Sequence, residues 1–338
     1  MTEVRRKYPV DIDSGNEFVK VIKPMVRGTA NEFTIGDLGH FAGLFSLGCI
    51  GDHEYSLVAS MDGVGTMTQR STAMKEYAIV GESLINHCVN DILTIGAKPL
   101  FFLDYIAASR IDITSMSQVV EGLCKAAKEN NCPIIGGEIA EMPKVYHDGE
   151  YDLAGCIIGI VEKRKILTGK NIEVGDLLIG LPSNGLHTNG YSLVNKLIAD
   201  GSFKVYGDDG KYTPEYRALY KPHQSYLNWL KHIIDLKIIE AMAHITGGGL
   251  DNILRVIPDG MNAKIKAHSW FIPPIFKVIQ EAGNVMPEEM FRVYNMGIGM
   301  VLVIKPRNLE YFIKQFKQGT WYLIGEVGSG STKDWEIV

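Results

Sequence analysis

The feature that most constrains this chain is the loop Asp62-Gly63-Val64-Gly65-Thr66, which follows an apolar stretch from Tyr55 to Ser60. We interpret that stretch as a β-strand, so the loop lies at a strand end. Glycines let the backbone approach an anion closely and point its amides at it. The Asp62 carboxylate suits a divalent cation such as Mg²⁺, which would neutralise phosphate charge. The alternative interpretation is that Asp62 is simply a turn residue.

Two further acids lie in comparable surroundings. Glu138 follows Gly136 and Gly137 at the end of a predicted strand, and Asp91 lies on a predicted apolar helix, where an acid is usually solvent-exposed. If the strands are neighbours, Asp62, Asp91 and Glu138 converge at one edge of a sheet. Converging carboxylates repel one another unless a cation lies among them, so we predict Mg²⁺ there. Mg²⁺ held by few carboxylates usually also binds phosphate oxygens, which favours a nucleoside triphosphate.

The second half contributes two glycine-rich segments before predicted helices, residues 183–190 and 244–249. Free amides and the positive end of a helix dipole make such turns candidate anion sites. Close packing or a hinge is the alternative explanation for three consecutive glycines. His187, flanked by two asparagines, is predicted to contact a ligand and to donate to developing negative charge or carry a proton. Among the other eight histidines, only His244 has a similar setting.

Composition limits the class of protein. A chain of 338 residues favours about two domains, and its net charge of −5 argues against general nucleic-acid binding. The five cysteines form no Cys-x-x-Cys pair, and neither an apolar leader nor a membrane-spanning run is visible. We therefore expect a cytoplasmic protein without a membrane partner. Residues 171–175 resemble a domain boundary, which predicts α/β domains at 1–170 and 171–338.

Known nucleotide motifs are missing from the sequence. It contains no Walker A pattern, no kinase glycine-rich loop with its paired lysine, and no Rossmann fingerprint. If the chain uses ATP, it does so with another architecture.

Nine segments in the same order together resemble the aminoimidazole ribonucleotide synthetase family, also called phosphoribosylformylglycinamidine cyclo-ligase. They cover nearly the whole chain and are more specific than any one motif. The segments are VDIDSGN (10–16), DGVGT (62–66), CVNDIL (88–93), PLFFLDYIA (99–107), IIGGEIAEMP (134–143), YDLAG (151–155), GLHTNGYSLV (185–194), HITGGGLDNILRV (244–256) and EMFRVYNMGIGMVLV (289–303).

The resemblance implies a fold and a reaction. It implies two α/β domains, with an N-terminal mixed sheet that forms a barrel-like interface in a homodimer and a C-terminal sheet packed by helices. ATP would bind near that interface. The implied reaction is the ATP-dependent closure of formylglycinamidine ribonucleotide to aminoimidazole ribonucleotide in purine biosynthesis. ATP would activate the formamide oxygen, the amidine nitrogen would attack the same carbon, and ADP and phosphate would be released.

The resemblance also implies roles for individual residues, because an amide oxygen leaves poorly until it is phosphorylated. The residues that bind the metal and act in catalysis would be Asp62, Asp91 and Glu138, and His187 would act at the reacting centre. The ATP phosphates would be held by Lys23, Gly63, Gly65 and Thr66 together with Asp62 and Asp91. The substrate would be held by His187, Asn189, Thr246, Gly247 and Gly248.

The sequence departs from the family beside the opening loop. The family usually has a lysine after the threonine, where this chain has Met67, and a threonine before the loop, where it has Met61. Lys23, Arg70 or Lys75 would have to replace the missing charge. These departures leave two alternatives open, a small-molecule kinase of the same superfamily and a catalytically silent paralogue that binds nucleotide.

Overall fold

The structure, a computed structural model, describes residues 12–36, 40–316 and 320–338. Within these ranges the chain forms two six-stranded mixed sheets, one from strands that end by Glu162 and one from strands that begin at Leu177. Helices pack on both sheets, which confirms the predicted class of two α/β domains. The predicted division between residues 170 and 171 falls in the segment between the two sheets. Residues 10 and 11 of the first segment quoted above lie outside the described ranges.

The first half of the chain forms a mostly antiparallel sheet with helices between its strands. Its strands are arranged β1-β2-β3-β6-β4-β5, and only β4 and β5 are parallel. The elements are α1 (Ile12–Arg27), β1 (Thr34–Ile35), β2 (Gly43–Ile50), β3 (His53–Gly63), α2 (Met67–Met74), α3 (Ala78–Leu93), β4 (Lys98–Ala108), α4 (Ile113–Glu129), β5 (Ile134–Glu141) and β6 (Tyr151–Glu162).

The second half forms a sheet in the order β12-β9-β11-β7-β10-β8, in which only β12 and β9 are parallel. The elements are β7 (Leu177–Pro182), α5 (Tyr191–Ala199), α6 (Pro214–Ala218), α7 (Leu227–Ile234), β8 (Ile239–His244), α8 (Asp251–Leu254), β9 (Met261–Ile265), α9 (Pro274–Gly283), α10 (Pro287–Val293), β10 (Ile298–Ile304), α11 (Leu309–Gln315), β11 (Tyr322–Ser329) and β12 (Trp335–Ile337). No helix of the described ranges is both long and apolar enough to cross a membrane.

The two faces of the first sheet differ in their environment. Along β6, buried and half-buried residues alternate without interruption, as expected for a strand with one covered face. Helix α3 covers one face. On the opposite face, the register aligns Met61, Cys156 and Leu103 in one row, and both Met61 and Leu103 are exposed. We call this second surface the open face of the first sheet.

Helix α3 lies at the centre of the molecule. Residues from Val80 to Leu93 are almost all buried, because α3 is covered by the sheet, by α4 and by the second domain. It approaches α4 closely at two glycines: a Cβ on Gly81 would lie 2.1 Å from the Val119 carbonyl oxygen, and one on Gly122 would lie 1.8 Å from that of Ala78. The backbones can therefore meet only because both positions lack a side chain.

Buried asparagines on α3 join it to the segment before α7. The Nδ2 group of Asn86 donates to the His223 carbonyl at 2.7 Å, and that of Asn90 donates to the Gln224 carbonyl at 2.8 Å. The Tyr226 amide donates back to Oδ1 of Asn90 at 2.9 Å. Because buried amide groups are costly unless they are paired, these bonds fix the second domain against α3.

The apolar stretch of residues 55–60 lies within β3, as predicted, and the predicted apolar helix that carries Asp91 is α3. Two differences matter. Strand β2 was not predicted. The segment Gly136-Gly137-Glu138 lies within β5 instead of following a strand, because Gly136 and Gly137 pair with Leu103 and Asp104 of β4.

Candidate functional site

The loop of residues 62–66 begins on β3 and lies against the second domain. Asp62 and Gly63 are the last two residues of β3, and Gly65 has a φ of +51°, in the left-handed region that glycine tolerates best. The hydroxyl of Thr66 lies 3.0 Å from that of Ser192 on α5, and the Asn195 side-chain amide donates to the Thr66 carbonyl at 3.0 Å. The loop is therefore part of the contact between the domains.

Asp62 lies beside a histidine that the sequence analysis did not identify. Nε2 of His87, on α3, is 2.7 Å from Oδ2 of Asp62, and the Gly63 amide donates to Oδ1 at 2.8 Å. Burial by itself would lower the pKa of His87, but the charges of Asp62 and Asp91 outweigh it and raise the pKa to about 9. Burial would likewise raise the pKa of Asp62, but His87 and the Gly63 amide bring it below its usual value.

Asp91 is buried, contrary to the expectation of an exposed acid, because α3 is covered on nearly all sides. Its Oδ1 lies 2.8 Å from Nδ1 of His244, and its Oδ2 accepts from the Ser60 hydroxyl at 3.1 Å and lies 3.8 Å from Nε2 of His87. Two carboxylates therefore converge as predicted, and an imidazolium lies between them in this structure.

Glu138 does not join this pair. It is exposed on β5, and strands β6 and β4 separate β5 from β3, so the premise of neighbouring strands is wrong. Three strand spacings put Glu138 roughly 14 Å from Gly63, measured across the sheet. Its register partner on β4 is Tyr105, and the same row continues through Ala154 to Gly63, which places Glu138 on the open face.

His187 is buried and neutral. It has a φ of +64°, and its ring stacks on His223 with a centroid separation of 4.0 Å. Neither ring nitrogen has a hydrogen-bond partner among the described residues. Burial, together with the charges of His244 and His87, lowers the pKa of His187 well below its usual value. Its ring thus faces the interior here, whereas we predicted that it would face the reacting centre.

The two glycine-rich segments of the second domain lie next to each other. A Cβ on Gly247 would lie 3.1 Å from Oδ1 of Asn189, whose amide donates to Thr188 at 3.3 Å. Gly248 has a φ of +104°, and Thr246 is half-buried. The helix that was predicted to follow residues 244–249 is α8, which is only Asp251–Leu254. A helix dipole therefore contributes less to anion binding here than the prediction assumed.

Lys23 and Met67 differ in how they relate to the loop. Lys23 is half-buried on α1, which joins the second domain through an ion pair between Asp13 and Arg292. Met67 begins α2 and is only 1% exposed, with its side chain in the hydrophobic core. The departure from the family lysine is thus accommodated as a core residue. Of the candidate replacement cations, Arg70 and Lys75 lie on α2 and at its end.

Sequence reasoning missed His87, His223 and Arg255. His87 lies on α3, one residue before the CVNDIL segment. The face of the helix that carries it is buried, which only the fold shows. His223 lies after a proline in an irregular segment. The guanidinium of Arg255 stacks over Phe41 at 4.9 Å. Desolvation lowers the pKa of Arg255, and the nearby charges of Asp91 and Asp62 oppose that shift. A basic residue in the HITGGGLDNILRV segment was the available signal for Arg255.

The arrangement has the properties of an anion site with a cation partner. The Asp62 side chain is 41% exposed, so its outward lone pairs are open to a hydrated Mg²⁺. Arg255 supplies a guanidinium on the side of the second domain, and the exposed Gly65 and Gly247 allow close approach of a ligand. Asp91 fits a phosphate-bound Mg²⁺ less well, because both of its oxygens are engaged in the interior.

Comparison with known proteins gives two domain matches. Residues 40–161 match the family described as AIR synthase related protein, N-terminal domain, and residues 173–335 match its C-terminal domain. Among solved structures, AaThiL complexed with AMPPCP and TMP has a TM-score of 0.67 at 15% identity, covering 98% of this chain and 96% of that chain. T. maritima PurL complexed with ADP has a TM-score of 0.58 at 14% identity, covering 94% of this chain and 46% of that one. These two similarities establish the fold alone.

Curated relatives are much more similar in sequence. The phosphoribosylformylglycinamidine cyclo-ligase of Desulfitobacterium hafniense (strain DSM 10664 / DCB-2) is 41% identical over 330 residues, covering 96% of this chain and 97% of the relative. That of Trichlorobacter lovleyi is 42% identical and covers 100% and 99%. The chloroplastic protein of Arabidopsis thaliana is 42% identical and covers 95% and 80%. Two domain matches and full-length identity at this level show that the chain belongs to the AIR synthase related family, among relatives named phosphoribosylformylglycinamidine cyclo-ligase.

Proposed function

We propose that this protein catalyses the ATP-dependent cyclisation of formylglycinamidine ribonucleotide to aminoimidazole ribonucleotide, releasing ADP and phosphate. The observation that carries this proposal is the identity of 41–42% with curated cyclo-ligases over nearly the whole chain. The chemistry requires a site that stabilises a transferring phosphoryl group and a second site for the ribose phosphate.

In this proposal Asp62 is the main contact for Mg²⁺ on the ATP phosphates. Mg²⁺ supplies charge neutralisation when bound. Within the loop, the amides of Gly63, Val64 and Met67 donate to neighbouring oxygens, which leaves those of Gly65 and Thr66 as candidates to bind phosphate. Arg255 compensates for the lysine that Met67 replaces. Lys23 is a further cation, contributed by α1.

Asn189, Thr246, Gly247 and Gly248 would form the substrate side. Asn189 and Gly247 are adjacent in the structure, and Gly247 is exposed, so a phosphate ester can approach the backbone there. Because its ring is covered and stacks on His223, His187 would act as a positioning residue and would not contact the substrate. Asp91 holds His244 and, through its charge, His87, and so organises the wall behind Asp62.

We also propose a homodimer formed through the open face of the first sheet. Exposed apolar side chains on that face include Phe45, Met61 and Leu103, and the apolar residues Phe18 and Met25 of α1 are exposed as well. An exposed apolar surface of this kind commonly marks a protein interface. Glu138 lies on the same face, so its proposed role in metal binding would depend on groups that the partner subunit places beside it.

The direct test is to incubate the purified protein with formylglycinamidine ribonucleotide, ATP and Mg²⁺ and to follow aminoimidazole ribonucleotide and ADP together. Formation of both in equal amounts is the expected result. ATP binding without product would instead support the silent paralogue, and ADP formation only with a phosphorylatable small molecule such as thiamine phosphate would support the kinase.

A further inference from the structure

A cleft of about 430 Å³ lies between the segment that joins the two sheets and the second sheet. Its two sides are connected where the Gly169 amide donates to the Glu240 carbonyl at 3.3 Å. Glu240 and His244 lie near opposite ends of β8, about 13 Å apart along the strand, so the cleft is separate from the site around Asp62. We call it the linker cleft. Its lining includes Lys170, Ile172, Glu173, Glu240, Lys305 and Arg307.

Lys305 holds the cleft together and is fully engaged in doing so. Its ammonium donates to the Asn171 carbonyl at 2.6 Å and to Oε2 of Glu173 at 2.8 Å, and it lies 3.0 Å from Oδ2 of Asp176. An ammonium group has three donors, so these three oxygens satisfy it. Lys305 is also only 6% exposed. It therefore fixes the joining segment against the end of β10 and is not available to a ligand.

Glu240 reaches the cleft from an irregular position in β8. Val303 of β10 pairs with Ala241, but the next residue, Ile304, pairs with Ile239, so Glu240 is an extra residue without a register partner. Such bulges commonly redirect a side chain beside a functional site. Among the described residues, the half-buried Glu240 carboxylate has no hydrogen bond or ion pair. It is a carboxylate that the fold itself leaves uncompensated.

Two cations complete the lining. Lys170 and Arg307 are exposed, and neither side chain forms a hydrogen bond or ion pair within the described part of the chain. Arg307 is directed towards the joining segment: Lys305 lowers the pKa of Glu173 most, and the charge of Arg307 adds to that effect. The linker cleft thus offers two available cations and, on β8, one available carboxylate.

The charges of the cleft define the kind of ligand that fits it. With the Lys305 network included, three cations (Lys170, Lys305 and Arg307) face three carboxylates (Glu173, Asp176 and Glu240), so the formal sum is zero. A phosphate dianion would leave the Glu240 carboxylate unpaired and would be repelled by it. A neutral molecule with separated positive and negative groups would compensate all three available charges.

We propose that the linker cleft binds a zwitterion of the α-amino acid class. Its carboxylate contacts Arg307 and Lys170, because a guanidinium forms paired hydrogen bonds with a carboxylate, and its ammonium group pairs with Glu240. Ile172 is the one apolar residue of the described lining, which favours a polar side chain and gives a nucleobase nothing to stack on. The volume lies within the range of small-molecule sites.

Calorimetric titration of the full-length protein with L-glutamine tests the proposal without ATP or cyclisation substrate. One site per chain with a Kd of roughly 0.1–1 mM is expected. Glu240→Gln and Arg307→Gln should each weaken binding by about 10-fold or more. Lys277→Gln and Glu281→Gln alter an exposed ion pair on α9 and are the matched controls, which should bind as wild type. The analogue 4-carbamoylbutanoate, which lacks the ammonium group, should also bind at least about 10-fold more weakly.

The location of binding is measured on wild-type protein with ¹³C-labelled isoleucine methyl groups, which keeps the test valid if a variant does not fold. The signal of Ile172, which is 3% exposed in the cleft, should shift on saturation, and that of the exposed Ile139 on β5 should not. An unmoved Ile172 signal at about 10 mM L-glutamine would overturn the site. Equal affinity for 4-carbamoylbutanoate or for inorganic phosphate, or in a folded Glu240→Gln variant, would do the same. Because these measurements omit ATP, their outcome is independent of the cyclisation assay.

Discussion

Nε2 of His87 lies 2.7 Å from Oδ2 of Asp62, so a histidine of the central helix pairs with the acid of the glycine-containing loop at residues 62–66. Asp91 lies on the same side of this ring, at 3.8 Å. The mutual repulsion of the two carboxylates, from which the sequence analysis inferred a cation, is thus relieved within the chain itself. This pairing links the stability of α3 to the chemistry of the loop.

Replacing His87 by glutamine should flatten the pH dependence of stability. Its folded-state pKa of about 9 exceeds the unfolded value of about 6.5, so its stabilisation is complete below pH 6.5 and is lost as the pH rises through 9. Metal-free wild-type protein should lose up to about 3 kcal/mol of unfolding free energy across that range. Urea unfolding at several pH values measures this loss. If the unfolding free energy of wild type and of His87→Gln had the same slope against pH, His87 would not be charged in the folded protein.

Asp62→Asn should lower kcat/KM for Mg-ATP by roughly 100-fold while retaining the fold, because it removes a charge from the proposed phosphoryl-transfer site. Initial rates of ADP release measure the effect, and circular dichroism checks the fold. Asp208→Asn, which alters an exposed aspartate of a surface ion pair, is the matched control and should behave as wild type. Unchanged turnover in Asp62→Asn would refute the Mg²⁺ assignment.

Met67→Lys should destabilise the protein by about 2 kcal/mol or more, because it places an ammonium group in the hydrophobic core. Met67→Leu conserves volume and polarity and should change the unfolding free energy by less than about 1.5 kcal/mol. Denaturant unfolding measures the change in unfolding free energy of each variant. Wild-type stability together with higher ATP turnover in Met67→Lys would show that the lysine reaches the phosphates instead.

Met61→Glu should convert the proposed dimer into monomers, because it buries a charge in the row that also contains Cys156 and Leu103. Light scattering coupled to size exclusion gives the mass directly. Ile113→Glu alters a residue that is equally apolar and exposed, at the start of α4, and should leave the mass unchanged. A wild-type monomer at micromolar concentration would rule out the open face as a stable interface.

Gly122→Ala should cost several kcal/mol, because the added Cβ would lie 1.8 Å from the Ala78 carbonyl oxygen and would push α3 and α4 apart. Gly43→Ala is the control, since its Cβ would meet no atom closer than 3.8 Å. Thermal unfolding followed by calorimetry compares the two. If both variants melt at the wild-type temperature, the helices are not in the close contact described here.

The sequence was sufficient for local features and for the family. The apolar stretch of residues 55–60 predicted the strand that is β3, and the apolar segment around Asp91 predicted the helix that is α3, because each pattern depends on neighbouring residues in one chain segment. The nine segments predicted the two α/β domains and the family, and the domain matches and relatives confirmed both.

Only the tertiary structure decided which of those residues meet. The position of Glu138 depends on strand order, and β6 and β4 lie between its strand and that of Asp62. The burial of Asp91 depends on a second domain that binds α3 through Asn86 and Asn90. The contact of His87 with Asp62 and of His244 with Asp91 joins residues 25 to 153 positions apart, a relation that no local pattern encodes. The acid–glycine loop was therefore evident from sequence, whereas its histidine partners were set by long-range packing.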